Sequence, residues 1–397
     1  MKRLIYILQL SVMLVLCSCI SEFNANLPTS DTDLLVVEGD IIGNTTQTIY
    51  LRKTYPMSDT VTYTHLRFQD LQANVSLVGS DGTNIKAINS GNRNGSYLLE
   101  IGDLDENTEY SLIIEYDGET YQTTPSKPLI TPEIDSITFR QPEKYGDVTF
   151  YVSTHSDDEN ASYYLWNYEE DWEIFALYYT NYFVNEQSEF YTQEPAPYYY
   201  CWCNNRINPI LIESTDSQSK NAIVNKTLYT VPSEKRFQSL YSVKVKQRAL
   251  SGAAYEYYRS KQTSNQDMGG LFTPQPTEPN GNVICTTNSG KKALGFIEVL
   301  KNISEMRIYV GSSAITRKNS MVCELIPHGT VLSMMSEALI ETYWGAAVML
   351  SIRPVVIGGD MTEGSDPESW AAVGCTDCRS AGGSKTRPDF WPDNGHY

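Results

Sequence analysis

Positive charge is scarce in this chain. Its 397 residues carry 30 Lys and Arg against 48 Asp and Glu, a formal net charge of −18. Such a chain repels phosphate backbones, so nucleic acid is excluded as a partner. Long apolar runs are also missing beyond the N-terminus. The best internal candidate, residues 342–352, is eleven residues long and is closed by Glu341 and Arg353. A bilayer-crossing helix needs ~20 residues, so this stretch is expected as a buried strand or helix. His65, His155, His328 and His396 are scattered, without the spacing of a helical zinc pair. Neither a Gly-x-Ser-x-Gly elbow nor a phosphate-cradling Gly loop occurs. The sequence therefore reads as non-enzymatic, with no cofactor, and a hydrolase is the weakest reading. Glu169, Glu170 and Asp171 form a run of carboxylates. Neighbours on a strand point to opposite faces, whereas a glycosidase holds its two acids across a cleft.

What is present begins at the start. Lys2 and Arg3 precede an apolar stretch from Leu4 to Leu16, interrupted by Gln9 and Ser11, which closes on Leu16-Cys17-Ser18-Cys19. A basic start, an apolar middle shorter than a membrane span and small residues before a cut are the layout of a secretory signal. The ending resembles the lipobox of bacterial lipoproteins, which implies removal of residues 1–18 and acylation of Cys19. Cys17 is the poorer acceptor because bulky Leu16 would stand at the cut. An uncleaved core helix and a plain secretory signal are the alternatives. Removing Lys2 and Arg3 from a net charge of −18 leaves −20 on the mature chain. Residues 19–33, with Asn, Pro, Ser, Thr and Asp and no periodicity, read as a tether.

From residue 34 onward short apolar runs alternate with turn residues, and strands are expected over 34–42, 48–55, 73–78, 97–101, 110–116 and 119–123. In the fifth, Tyr110, Leu112, Ile114 and Tyr116 share one face, the period a half-buried strand requires. Asp117-Gly118 joins it to the sixth as a tight hairpin, since both residues tolerate positive φ. The pattern predicts a mainly β protein whose residues 34–126 form an immunoglobulin-like β-sandwich. Pro125, Pro128 and Pro132 mark a boundary. Beyond it, residues 133–397 are expected as a larger β-rich domain with a few short helices and a cysteine-containing tail. Its strands are expected over 147–154, 163–174, 240–250, 293–299 and 306–311. Within 240–250, Tyr241, Val243 and Val245 fall on one face and Lys244, Lys246 and Arg248 on the other. A helix over 252–262 would turn Ala254, Tyr257 and Tyr258 inward.

After the loss of Cys17 and acylation of Cys19, Cys201, Cys203, Cys285, Cys323, Cys375 and Cys378 remain. An even number in an exported chain points to disulfides, with fifteen pairings open. A bridge from Cys201 or Cys203 to Cys375 or Cys378 would hold the Gly-, Asp-, Ser- and Pro-rich tail, 358–397, to the body, and Cys285 with Cys323 would be the residual pair. The alternatives are free thiols or a four-thiolate zinc site from Cys201, Cys203, Cys375 and Cys378. The oxidising compartment favours disulfides, and no metal is expected. Alternate oxygens over Asp360, Thr362, Gly364, Asp366 and Glu368 lack the spacing of a calcium loop and read as an acidic turn. Between Trp166 and Trp202 the chain is densely aromatic. Tyr178, Tyr179, Tyr182, Tyr198, Tyr199, Tyr200 and Trp202 follow no single period and are the candidate surface for a ligand or partner. Flat rings stack on sugars or peptide side chains at small entropic cost, and Tyr keeps a hydroxyl. The alternative is that they fill the core.

Several of these segments occur together: the lipobox, Leu35-Val36-Val37-Glu38-Gly39, LRKTYP at 51–56, the hairpin 110–121, Ala254-Tyr255-Glu256-Tyr257-Tyr258, LFTPQPTEPNGNV at 271–283, Leu294-Gly295-Phe296 and CTDCRSAGGSKTRPDFW at 375–391. In this the chain resembles the lipoproteins grouped as domain-of-unknown-function family 4249. The resemblance covers nearly the whole mature chain. It implies a lipoprotein on the outer membrane, facing the cell surface, that serves a TonB-dependent β-barrel transporter as an accessory or substrate-capturing partner. It carries over no catalytic residue. A stand-alone glycan- or peptide-binding lipoprotein that uses the aromatic segment is the second reading.

Overall fold

The structure, a computed structural model, describes residues 34–54, 71–91, 95–157, 161–193, 196–216, 220–266, 281–318, 322–337, 342–355 and 367–393. The signal, Cys19, the tether, His65, His396, the prolines of 271–280 and all but Glu368 of the calcium-like run lie outside the described residues.

The first body contains β1 (Leu35–Glu38), β2 (Ile41–Ile42), β3 (Thr45–Lys53), β4 (Asn74–Gly79), β5 (Asn84–Lys86), β6 (Ile88–Asn89), β7 (Ser96–Ile101), β8 (Tyr110–Tyr116) and β9 (Glu119–Thr123). The single strand expected over 34–42 is broken at Gly39-Asp40. Alternation decides the packing, with Ile49 and Leu51 of β3, Leu77 of β4, Leu99 of β7 and Leu112 and Ile114 of β8 turned into one core between two sheets. Full burial of each such side chain contributes about 1.5–3 kcal/mol. The β8–β9 hairpin turns on Asp117 and Gly118, both at positive φ, as their chemistry predicts.

The two sheets are completed from far down the chain. β19 (Val283–Cys285) pairs antiparallel with β9, while β20 (Ala293–Leu294) and β21 (Val299–Leu300) run parallel to β1 and β2. The sheet orders are thus β20-β1-β3-β7-β6 and β19-β9-β8-β4-β5. The expected division into 34–126 and 133–397 is corrected here, because residues 283–300 belong in space to the first body. Prolines end strands, but they do not satisfy the open backbone groups of the two sheet edges they leave behind. This clasp approaches β1 so closely that a Cβ on Gly295, at φ +134°, would collide with the carbonyl oxygen of Val37.

The second body sets a three-stranded sheet, β10 (Ile134–Arg140), β11 (Val148–His155) and β17 (Ala222–Val231), against a five-stranded one. The latter has the order β15 (Tyr200–Asn205), β12 (Tyr163–Phe175), β18 (Leu240–Leu250), β22 (Ser304–Gly311), with β16 (Leu211–Ser214) also on β12. Tyr164 and Trp166 of β12, Tyr241 and Val243 of β18 and Phe150 of β11 fill the core between them. Both bodies are immunoglobulin-like sandwiches. A short helix, α1 (Ser233–Arg236), precedes β18. The connection from β18 to β22 carries α2 (Gly252–Gln266) and then the clasp. Ala254 of α2 is buried, and Tyr257 and Tyr258 pack with it near Leu165 and Phe296.

The expected larger domain also holds a third body. The hairpin β13 (Tyr182–Val184) and β14 (Phe190–Thr192) joins β23 (Ile326–Pro327), α3 (His328–Glu337), α4 (Tyr343–Met349), β24 (Ile352–Val355), β25 (Ser369–Ala372) and α5 (Val373–Thr376). Tyr182, Phe190, Val331, Ile352 and Trp370 form its core. The apolar stretch 342–352 is mainly helix α4. No described helix is long and apolar enough to cross a membrane.

Two disulfides occur among the described residues, Cys201–Cys378 and Cys323–Cys375, with Cα separations of 5.6 and 6.0 Å. The first ties the tail to β15, as expected of a bridge from the first pair to the second. The expected Cys285–Cys323 pair is corrected: Cys285 lies on β19 of the first body, while Cys323 bonds within the third, so Cys203 and Cys285 are free thiols. A zinc site on Cys201, Cys203, Cys375 and Cys378 is likewise ruled out, since three of those sulfurs are bonded in disulfides.

Candidate functional site

The outer face of the β12–β18–β22 sheet is polar because period-two alternation places polar and charged side chains on the outward positions of its central stretch. Register stacks the side chains in rows: Asn167, Lys246 and Glu305; then Glu169, Lys244 and Arg307; then Asp171, Ser242 and Tyr309. The basic face expected of β18 thus meets acids on both neighbouring strands. Lys246 Nζ lies 2.6 Å from Glu169 and 3.9 Å from Glu305, and Lys244 Nζ is 2.5 Å from Glu305. Burial pushes the Glu169 carboxyl up, but its bond to Lys246 and the surrounding cations outweigh this and hold it below its usual range.

The C-terminal tail covers one end of this face. Ser384 exchanges backbone hydrogen bonds with Trp202 on β15, 2.8 Å each way. Further on, Arg307 stacks 3.6 Å over Phe390, the Tyr309 hydroxyl donates to the Phe390 carbonyl at 2.8 Å, and Trp391 is buried.

The other end is open and forms the floor of a cleft of about 1020 Å³. Glu38, Ile42 and Gln47 of the first body make one wall, and Tyr258, Lys261 and Gln262 of α2 another. The loop Asn208–Ile210 stands at the rim, held where Asn167 Nδ2 donates to the Pro209 carbonyl and Gln262 Nε2 to that of Ile210. The first-body wall is locked to the floor through Arg248, which pairs with Asp40 of the first body and donates to Asn167 Oδ1 at 3.1 Å. Burial at this joint pushes the Asp40 carboxyl up, against the pull of Arg248. Beside it, Glu298 of the clasp accepts from Ser251 N at 3.0 Å and Ser251 Oγ at 2.9 Å. Burial pushes its carboxyl up to about 7.

The aromatic segment does not form one surface. Tyr182 is in the core of the third body and Trp202 lies under the tail. The Tyr178 hydroxyl donates to the Cys323 carbonyl at 3.0 Å, and the Tyr198 ring lies between the guanidinium groups of Arg353 and Arg379 at 4.6 and 3.9 Å. Tyr178 and Tyr198 thereby fix the segment to Cys323, Arg353 and Arg379. Tyr179, Tyr199 and Tyr200 gather with Phe175 in an edge-on cluster, the Tyr179–Tyr199 and Tyr199–Tyr200 centroids being 5.2 and 4.7 Å apart. Tyr179 is 45% exposed.

The carboxylate run divides as strand geometry requires. Glu169 faces the cleft, whereas Glu170 is fully buried on the core side, held by Arg236, Asn205 and the Tyr241 hydroxyl. Asp171 returns to the outer face between Arg206 and Arg307. His155 pairs with Asp135 at 2.7 Å, and His328 accepts from Trp370 Nε1 at 3.1 Å; neither lines the cleft. No group of three or more potential metal ligands occurs among the described residues.

The cleft went unnoticed in the sequence because its parts are 208 residues apart at the Asp40–Arg248 pair. The alternation of Asn167, Glu169 and Asp171 against Lys244, Lys246 and Arg248 was the signal available.

Among solved structures, a segment of two fibronectin type III domains from chicken tenascin is 14% identical, with 55% of this chain and 93% of that one covered at a TM-score of 0.16. A DUF4785 family protein from Legionella pneumophila is 11% identical over 54% of this chain and 52% of its own, at 0.18. The chicken interferon gamma receptor alpha chain is 11% identical over 55% and 90%, at 0.16. Likeness at these scores says nothing about function. No curated protein matches the chain significantly. The profile of the family described as Domain of unknown function (DUF4249) matches residues 20–305, from just after Cys19 to the second residue of β22, and the chain belongs to that family.

Proposed function

We propose that this protein is a non-enzymatic lipoprotein, anchored through Cys19 to the outer membrane and facing the cell surface, which captures a ligand for a TonB-dependent β-barrel transporter. The observation that carries the reading is the cleft of about 1020 Å³, framed by two sandwiches that the family-matched segment covers as far as the start of β22. Its floor consists of side chains already satisfied by one another, a surface suited to holding a molecule and without a poised nucleophile or base. The lipobox supplies the anchor and the family resemblance the transporter. Acyl chains on one cysteine together provide stable membrane attachment.

Purification from envelopes in mild detergent tests it. The expected result is an acylated Cys19 by intact mass and a β-barrel that copurifies. An unmodified thiol at that residue in cytosolic material would overturn the anchor, and a body that never copurifies with a transporter would overturn the accessory role. The exposed ring of Tyr179 in its aromatic cluster favours a second reading, a stand-alone glycan- or peptide-binding lipoprotein.

A further inference from the structure

We infer that the cleft between the two sandwiches is a binding site for an uncharged oligosaccharide. This deepens the capture role above, resting on it for the fate of the ligand and not for its binding.

Three features of the cleft select the ligand. The first is charge compensation. Lys246 stands between Glu169 and Glu305, Arg248 is matched by Asp40, and Glu38 by Arg52 at 2.7 Å. An anion approaching the Lys246 ammonium meets two carboxylates within 4 Å of it, and a cation approaching either carboxylate meets the ammonium. A charged ligand seated on this floor must break one of these pairs, whereas a hydroxyl group can accept from the ammonium or donate to a carboxylate and leave the pairs in place.

The second is that the floor is the face of a sheet. An extended peptide is usually held through backbone hydrogen bonds at a sheet edge. The edge of β12 beside the cleft is closed, by β16 along Tyr163–Trp166 and by the loop from β15 to β16, where Arg206 Nη1 donates to the Glu170 carbonyl at 2.6 Å. The floor therefore offers side-chain donors and acceptors, which suit hydroxyls. The third is size and texture. A volume of about 1020 Å³ stands at the upper end for small-molecule pockets, which fits several linked sugars rather than one. Ile210 and Ile303, half-buried at the border of the polar floor, would meet the C–H faces of sugar rings.

The test uses the native lipoprotein in detergent and calorimetry with maltohexaose, xylohexaose, laminarihexaose and cellohexaose, against oligogalacturonate and tetra-alanine. The expected result is that at least one neutral hexasaccharide binds with a Kd below about 1 mM, while the charged and peptide probes do not. Lys246→Met in the floor and Lys261→Ala on the rim should each weaken that binding about tenfold or more, with the melting temperature of Lys261→Ala unchanged. If Lys246→Met does not fold, Lys261→Ala decides alone. The inference is overturned if no neutral probe binds, if oligogalacturonate or tetra-alanine binds as tightly, or if binding survives the cleft variants and is lost in Tyr179→Ala. A transporter that copurifies with a protein blind to sugars would sink this inference alone; sugar binding without any transporter would sink the accessory role alone.

Discussion

At the scale of single residues, Glu298 carries a pH dependence whose sign is fixed by its surroundings. Its carboxyl is buried where the clasp meets the start of α2, and among the described residues only Ser251 donates to its Oε2. Burial raises its pKa from 4.5 to about 7. Below pH 4.5 the group is protonated whether the chain is folded or not. As pH rises from there through 7, the unfolded chain releases the proton first and the fold loses stability, by roughly 3 kcal/mol once the window is passed. Glu298→Gln keeps an acceptor for Ser251 and removes the ionisation. Urea denaturation should therefore show the variant and parent equal near pH 4 and the variant more stable at pH 8. Parallel stability curves from pH 4 to 8 would show that Glu298 is not the titrating group. The sequence announced none of this, since a lone Glu before two apolar residues looks like any strand end; burial came from contacts with residues 251 and 41, distant in the chain.

At the scale of elements, local chemistry was legible and edges were not. The turn at Asp117-Gly118, the strand 240–250 with its two faces and the inward stripe of α2 follow from spacing alone, because each is decided by neighbours within a few residues. Sequence alone places an ordinary strand over 293–299 in the second domain. Nothing local tells a strand which of two bodies has the open edge it will pair with. Gly295 held the one local hint, for its backbone at φ +134° lies against Val37 where no side chain fits. Gly295→Val should therefore lift β20 off β1 and lower stability by about 2–4 kcal/mol. Hydrogen exchange is the check: amides of β1 and β2 should lose protection while those of β12 and β18 keep theirs. The aromatic segment divides for a similar reason. Tyr182 and Tyr179 lie three residues apart, yet one enters a core built with residues 331–370 and the other remains at the surface.

At the scale of the whole molecule, the two sandwiches are one interlocked unit. The clasp belongs to the first body in space and to the β18–β22 connection of the second in sequence, and Asp40–Arg248 joins them across the cleft. A chain of residues 34–126 alone should accordingly show no cooperative calorimetric transition, and a synthetic peptide of residues 281–300 added in trans should sharpen its melting. A cooperative transition without the peptide would show that the first body needs no completion. The sandwich class was legible from strand spacing, but the third body was not, because its hairpin and its helices are separated by β15 to β22, which include most strands of the second sandwich and the clasp.

The order of manufacture gives the clasp a final consequence. Polypeptides emerge from the ribosome N-terminus first, so the opening strands of this protein wait, with two raw hydrogen-bonding margins, until residue 300 has been made. During that interval the nascent chain is most exposed to sticking to its siblings, and a holding chaperone would have its greatest effect there.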